Sequence, residues 1–145
     1  MKCLLVLCTL LLSMSVHARD SKLTSLSAFQ WLNRIVVVNR IEQTPPVGSI
    51  FQQYRHELSE RDVIWFIIDE SDQVVSDYTG NLSHDTLRNA LQQYAVKPGE
   101  VILIGKDGGL KLRLDNLDIP ILFSVIDAMP MRQNEMQRQW NEYDF

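Results

Sequence analysis

Three short apolar runs, all rich in β-branched side chains, occur at residues 35–38, 63–68 and 101–104. A strand that is apolar at every position is covered on both of its faces, so each run predicts an interior strand of a sheet. In residues 110–114 the leucines instead alternate with two cations. Strict alternation predicts a strand with one face in water, at or near the edge of the sheet.

Segments with helical periodicity and capping residues separate these strands. We expect a short helix over residues 23–32, in which Trp31 helps to close the core, a second helix that begins at Ser49, and a third that begins after Ser83. The predicted caps are Ser27 with Gln30, Ser49 with Gln52, and Ser83. Helices between the early strands favour right-handed parallel crossovers.

The last helix is predicted to begin near Pro120, because proline is tolerated in a first helical turn. Its apolar stripe consists of side chains spaced mostly three or four residues apart: Leu122, Val125, Ile126, Met129, Met136 and Trp140. Pro130 interrupts this helix, since it removes one backbone hydrogen bond and clashes with the carbonyl of Ile126. We therefore expect a kink at Ala128 and Met129, or two helices that meet there.

A glycine-rich turn joins the last two strands. Its residues are Gly105, Lys106, Asp107, Gly108 and Gly109. The Asp-Gly pair suits the positive φ angles that a tight hairpin needs. Together the elements predict an α/β domain of the thioredoxin-like type, with three layers in the order α/β/α, a central mixed sheet and a late antiparallel hairpin.

Residues 1–18 have the features of a secretory signal peptide. Lys2 is followed by an apolar stretch from Leu4 to Val16, and small residues precede Arg19. This stretch is too short for a comfortable transmembrane helix. We expect residues 19–145 to form one domain that is periplasmic or secreted, with no membrane span once the signal is removed.

The cysteines and the charge narrow the possible functions. The chain has two cysteines, Cys3 and Cys8, and both lie in the expected signal peptide. The exported chain would therefore have no disulfide, no thiolate nucleophile and no thiolate metal site. It would carry 13 cations and 18 anions, a formal charge of −5. That charge gives no support to binding of nucleic acid or of an anionic membrane.

Three segments carry a family resemblance: residues 60–68 (ERDVIWFII), 103–113 (LIGKDGGLKLR) and 126–136 (IDAMPMRQNEM). They resemble the bacterial relatives of the DUDES domain, which is found in vertebrate secreted proteins, over nearly all of the exported chain. The Met-Pro-Met-Arg string at residues 129–132 is the most specific part. The resemblance implies a thioredoxin-like fold, related in shape to peroxiredoxins, and it implies no established activity.

In a thioredoxin-like fold the reactive group follows the first strand, which here means residues 39–49. That corner contains no cysteine, and Thr44 has no evident base beside it. We therefore expect no catalytic residue in this corner. His56 and His84 lack the spacing of metal ligands and are typical of surface histidines, so neither a metal site nor a cofactor is expected.

The candidate binding or structural residues are Lys106, Asp107, Asp127, Met131, Arg132 and Glu135. We expect an ion network in which the charged residues of the last helix meet Lys106 or Asp107 at the hairpin tip. The simpler alternative is a pair within the helix, because Arg132 and Glu135 are three residues apart. Arg132 is also expected to hold the kinked helix, through the carbonyl that Pro130 frees or through a carboxylate. The expected carboxylates are Asp107, Asp127 and Glu135.

Three functions remain as hypotheses. The first is a non-catalytic module that binds an unknown protein, glycan or envelope partner. The second is copper handling through methionines, because thioethers select Cu(I) and packing in the core explains Met129 and Met136 but not Met131. The third is an enzyme of unrecognised type.

Overall fold

The structure is a computed structural model that describes residues 22–41 and 46–143. The expected signal peptide and residues 42–45, which include Thr44, lie outside the described residues.

Five strands form one mixed sheet. They are β1 (Arg34–Asn39), β2 (Val63–Ile68), β3 (Val74–Ser76), β4 (Val101–Ile104) and β5 (Leu110–Leu114). Their order across the sheet is β3-β2-β1-β4-β5. β1 and β2 are parallel, and the other three pairings are antiparallel. The three apolar runs therefore form interior strands, and the alternating run forms an edge strand, as predicted.

The described ranges contain five α-helices and one short 3₁₀ helix. They are the 3₁₀ helix Leu26–Phe29, α1 (Val47–Gln53), α2 (Arg55–Glu60), α3 (His84–Gln93), α4 (Ile119–Asp127) and α5 (Pro130–Tyr143). The side chains of α1, α2 and α4 join one core cluster, and those of α3 and the 3₁₀ helix join the other. None of the helices in the described ranges is long and apolar enough to cross a membrane.

The two cores lie on opposite faces of the sheet because side chains alternate along each strand. Val36 and Val38 pack on the face of α1, α2 and α4, whereas Ile35 and Val37 pack on the face of α3. A stacked pair, Phe51 and Trp65, fills the first core with ring centroids 4.8 Å apart. The result is three layers, α/β/α. A parallel pair of strands, followed by an antiparallel hairpin and a helix, is the thioredoxin-like fold.

The first helix differs from the prediction over residues 23–32. It is a single 3₁₀ turn capped by Ser25, whose hydroxyl accepts a hydrogen bond from the backbone N–H of Ser27 at 3.2 Å. Trp31 does not close the core, because its side chain is exposed and its φ of 67° directs the chain out of the helix.

The second helix also begins earlier than predicted. α1 starts at Val47, which is buried, and Pro46 stands at the cap position without a side-chain hydrogen bond. The proposed cap, Ser49, is therefore inside the helix. Burial of Val47 against the sheet, rather than side-chain capping, places the helix start.

The last helix is two helices, α4 and α5, which meet at Ala128 and Met129 as expected. The predicted apolar stripe continues only as far as this junction. Leu122 and Ile126 are buried, whereas Trp140 is 76% exposed. A helix that restarts at Pro130 does not keep the phase of the helix before it, so the spacing of Trp140 from Ile126 has no structural meaning.

Candidate functional site

Charged side chains converge at the end of the sheet where the two parallel strands begin. Arg34 is the first residue of β1, and Arg61 and Asp62 directly precede β2. Lys106 reaches the same end because it follows β4, which is antiparallel to β1. Helix α5 and the end of α4 add three more charged residues. We call this group the basal ion cluster: Arg34, Arg61, Asp62, Lys106, Asp127, Arg132 and Glu135.

Glu135 is the first centre of the basal ion cluster. Its Oε1 accepts hydrogen bonds from Lys106 Nζ at 2.7 Å and from Arg34 Nη2 at 3.2 Å, and its Oε2 accepts one from Arg34 Nη1 at 3.1 Å. Arg132 Nη1 lies 3.7 Å from the same carboxylate. The three cations are 1%, 9% and 4% exposed for Arg34, Lys106 and Arg132. One carboxylate therefore offsets charge on three nearly buried cations.

Asp127 is the second centre. Arg61 binds it with two parallel hydrogen bonds, Nε to Oδ1 at 2.9 Å and Nη2 to Oδ2 at 2.7 Å. Arg132 Nε contacts the same Oδ1 at 3.4 Å, and its Nη1 donates to the backbone carbonyl of Glu60 at 2.8 Å. Arg61 also stacks over the ring of Phe123, with its guanidinium carbon 4.3 Å from the ring centroid. Arg132 thus joins both centres to the turn before β2.

The turn before β2 completes the basal ion cluster. Asp62 has a φ of 50°, a left-handed conformation that aspartate adopts more readily than most residues. Its carboxylate accepts a hydrogen bond from Lys106 Nζ at 2.7 Å. The carbonyl of Arg61 accepts one from Arg34 Nη1 at 2.7 Å. This turn is therefore bonded directly to β1 and to the hairpin.

The two central carboxylates titrate below their usual ranges. Burial acts to raise the pKa of Glu135, but hydrogen bonds and charge from Lys106 and Arg34 outweigh it, and the pKa is lowered. Burial likewise opposes the ionised form of Asp127, and Arg61 and Arg132 outweigh it, so its pKa is also lowered. Both groups are therefore ionised at neutral pH, as the ion pairs require.

Four of the six residues singled out from the sequence meet in the basal ion cluster: Lys106, Asp127, Arg132 and Glu135. Asp107 does not join them. Its carboxylate binds Lys111 Nζ at 2.6 Å and the N–H of Gly109 at 3.0 Å, and the hydrogen bond from Lys111 lowers its pKa. Met131 is 39% exposed and carries no charge.

The sequence predicts the hydrogen-bond acceptors of Arg132 only in part. The carbonyl of Ile126, which Pro130 frees from its usual partner, accepts hydrogen bonds from the N–H groups of Ala128 and Met129 at the end of α4. Arg132 therefore takes the carbonyl of Glu60 instead. Of the three predicted acceptors, Asp127 and Glu135 lie within 4 Å of Arg132, whereas Asp107 binds Lys111 instead.

Arg34 and Asp62 are not predicted from the sequence as members of the site, whereas Arg61 is expected to anchor its loop to a carboxylate, which the structure identifies as Asp127. A signal for Arg34 and Asp62 exists in the sequence, because each directly precedes an apolar run, where a charge has no place in the sheet core. That signal gives a location but no partner. Arg34 and Glu135 are 101 residues apart in sequence, and no local pattern joins them.

A pocket of about 450 Å³ lies beside the basal ion cluster, at the junction of α4 and α5. We call it the kink pocket. Its lining residues are Arg34, Gly105, Lys106, Asp107, Lys111, Val125, Ala128, Met129, Pro130 and Met131. The lining is apolar on the helix side and charged on the hairpin side. The break at Pro130 creates the apolar side of the pocket, because the residues around the break line the pocket instead of continuing one helix.

The three methionines that are potential copper ligands do not all lie in one place. Met129 and Met131 line the kink pocket, but Met136 lies in a different pocket with Arg132 and Trp140. Among the residues that the structure describes, no group of three or more His, Cys, Asp and Glu side chains is arranged to hold a metal ion. His56 is exposed, and the side chain of His84 lies outside the described part.

Comparisons with known proteins give a family without an assigned activity. No curated protein matches the chain. Among solved structures, the chain is similar to a thioredoxin-fold protein from Helicobacter pylori, with a TM-score of 0.40 and 10% identity over 77% of this chain and 81% of that one. The family model described as domain of unknown function DUF4174 matches residues 25–135, and the chain belongs to that family.

Proposed function

We propose that this protein is an exported, thioredoxin-like module that performs no thiol chemistry and binds a protein, glycan or surface partner in the cell envelope or outside the cell. Export rests on the signal-peptide pattern of residues 1–18. We also propose that the protein is related to the DUDES domain, as the sequence of residues 126–136 suggests.

The observation that carries the proposal is the position of the cysteines. Both precede residue 9, and the corner that follows β1 contains none. Disulfide reductases and thiol peroxidases need a thiolate, whose pKa is lowered at a helix N-terminus or beside a cation. A chain without a thiol at that corner has no group for either reaction.

The basal ion cluster supports a structural role for the charged residues. Each guanidinium and ammonium group in it already binds a carboxylate or a carbonyl. The cluster consists only of Arg, Lys, Asp and Glu, and the lysine amine and the carboxylates, which can act as nucleophiles, are engaged in ion pairs. Its geometry is suited to fixing α5 and the hairpin in place.

Two redox assays test the proposal. The full chain is compared with a Cys3→Ser/Cys8→Ser double variant and with heat-inactivated protein, in dithiothreitol-dependent insulin reduction and in hydrogen peroxide consumption. We expect all three samples to give the same rates in both assays. Turnover in the full chain that exceeds the heat-inactivated rate would refute the absence of thiol chemistry.

Export is tested separately by intact-mass measurement of protein purified from the envelope and the medium of its host. The expected mature N-terminus is Arg19. A retained Met1, or a lipid adduct on Cys8, would contradict this part of the proposal.

Copper handling is the alternative, because the thioethers of Met129 and Met131 line the same pocket. Arg34, Lys106 and Lys111 also line it, and their positive charge opposes a cation. We expect Cu(I) competition titration to show no tight site. Stoichiometric tight binding that is lost in Met131→Leu would make copper handling the better function.

A further inference from the structure

The kink pocket combines an apolar wall with several cationic side chains. Its charged lining residues are three cations, Arg34, Lys106 and Lys111, and one carboxylate, Asp107. Glu135 is shared between two of these cations, and Asp62 also binds Lys106. Three cations thus line one pocket in a chain whose formal net charge is −4.

Arg34 contributes a donor that has no partner. Its two terminal nitrogens are bonded to Glu135 and to the carbonyl of Arg61. Its Nε is buried and makes no hydrogen bond, although the whole residue is only 1% exposed. A buried donor without an acceptor is costly, and an acceptor that reached this nitrogen would remove that cost.

The opposite wall of the kink pocket is apolar. It consists of Val125, Ala128, Met129, Pro130 and Met131. Flexible methionine side chains adapt to ligands of different shape. The volume of about 450 Å³ lies within the range of small-molecule sites, which are mostly apolar with a few polar groups that fix orientation.

We propose that the kink pocket binds a small organic anion with an apolar body, such as a medium-chain carboxylate. The apolar body lies along the α4–α5 wall, and the anionic group faces the cations of the hairpin and of Arg34. This inference goes beyond the proposed partner binding, because it names a class of small-molecule ligand and the site that takes it.

The test uses three probes with the same ten-carbon chain: decanoate, decanol and decylammonium, each below its aggregation limit. The full chain is labelled with ¹³C at its methionine methyl groups, and NMR titrations are followed at Met129, Met131 and Met136. We expect decanoate to shift the signals of Met129 and Met131, which line the pocket, and to leave that of Met136 unchanged. Decanol and decylammonium should bind more weakly than decanoate.

Two pairs of variants locate the binding groups. Ala128→Trp fills the pocket from an exposed position and should weaken decanoate binding about tenfold or more, while Ser124→Trp, exposed on the same helix outside the pocket, should not. Lys111→Gln should weaken binding about threefold, and Lys97→Gln, an exposed lysine elsewhere, should leave it unchanged. Circular dichroism of each variant establishes that it is folded.

Three outcomes would overturn the assignment: no methyl shift with decanoate in the wild type, a shift confined to Met136, or decanol binding as tightly as decanoate. None of them affects the proposal that the protein lacks thiol chemistry, because the insulin and peroxide assays decide that proposal without any ligand.

Discussion

Helices α4 and α5 meet at one proline, yet they are attached to the domain by different forces. α4 buries Ile119, Leu122 and Ile126 in the core beside the sheet. In the described part of α5 the one buried residue is Arg132, and its partners are carboxylates and a carbonyl. α4 is thus held mainly by apolar area, with one ion pair at its end, and α5 by charge.

The difference explains why Pro130 is tolerated. A helix that is fixed by a continuous apolar stripe must keep its phase, whereas one fixed by long charged side chains has more freedom in how it approaches the sheet. The break at Pro130 separates the helix that is fixed by apolar contacts from the helix that is fixed by charged side chains. Because of the break, no helix turn covers the apolar wall of the kink pocket.

The largest effect should come from removing an apolar anchor of α4. Ile126 is fully buried, and Ile126→Ala should lower the free energy of unfolding by about 4 kcal/mol, the sum of lost burial and a cavity. Ile121→Ala is the matched control, since this side chain is on the same helix and 44% exposed, and it should change stability by less than about 0.5 kcal/mol. Urea unfolding measures both. Equal losses in the two variants would mean that α4 is not held by its buried face.

Removing the central anion of the cluster should have the next largest effect. Glu135→Gln leaves Arg34 and Lys106 nearly buried without this carboxylate, and we expect a loss of about 3 kcal/mol. Glu142→Gln, an exposed position on the same helix, is the control and should have little effect. If Glu135→Gln is as stable as the wild type, the ion pairs do not hold α5, and the contrast between the two helices is wrong.

Variants of Arg132 test whether the planar shape of the guanidinium group matters as well as its positive charge. Arg132→Ala should cost about 2 kcal/mol, because charged hydrogen bonds to Asp127 and to the carbonyl of Glu60 are lost. Arg132→Lys should recover only part of this loss, since an ammonium group cannot reach both acceptors as a planar fork does. Arg138→Ala, an exposed arginine on α5, is the control. Wild-type stability in both Arg132 variants would favour a partner-binding role for this residue.

The two helices also differ in how far they could be predicted from sequence. The strands and α4 follow from apolar periodicity, because burial of a face leaves a repeating pattern in the chain. The attachment of α5 leaves no such pattern, since Glu135 binds Arg34 across 101 residues. Charge, together with the predicted hairpin tip and crossing helix, predicts that a charged residue of the last helix meets Lys106 or Asp107. The structure shows that the pair is Glu135 and Lys106. Arg34 and Arg61 needed the register of β1 and β2, which only the fold supplies.

Acid should weaken the attachment of α5 and the Asp127–Arg61 pair at the end of α4, and it should leave the buried apolar face of α4 unchanged. The pKa values of Glu135 and Asp127 are lowered in the folded state, so these groups stabilise the protein above their unfolded pKa values. That stabilisation is lost as the pH falls through the folded values, starting at about pH 5. Asp77 acts in the opposite direction, because burial raises its pKa.

This prediction is tested by comparing the unfolding free energy of the wild type with those of two variants over a range of pH. The gap in unfolding free energy between the wild type and Glu135→Gln should stay constant near neutral pH and narrow in acid. The gap between the wild type and Ile126→Ala should not change over the same range. A gap for Glu135→Gln that is independent of pH would show that the carboxylate charge is not what stabilises the folded state.

The smallest effect is expected at Trp140. A large effect there would contradict the contrast between α4 and α5. A tryptophan in an apolar seam costs about 3–5 kcal/mol when it is replaced by alanine. Trp140 is 76% exposed, so Trp140→Ala should change the free energy of unfolding by less than about 0.5 kcal/mol. Urea unfolding should be run at two protein concentrations. A loss above about 2 kcal/mol at both concentrations would mean that α5 has an apolar attachment within the chain, because a surface tryptophan could not carry so much. A loss that grows with concentration would mean instead that copies of the chain pack together through this residue, since only association depends on concentration.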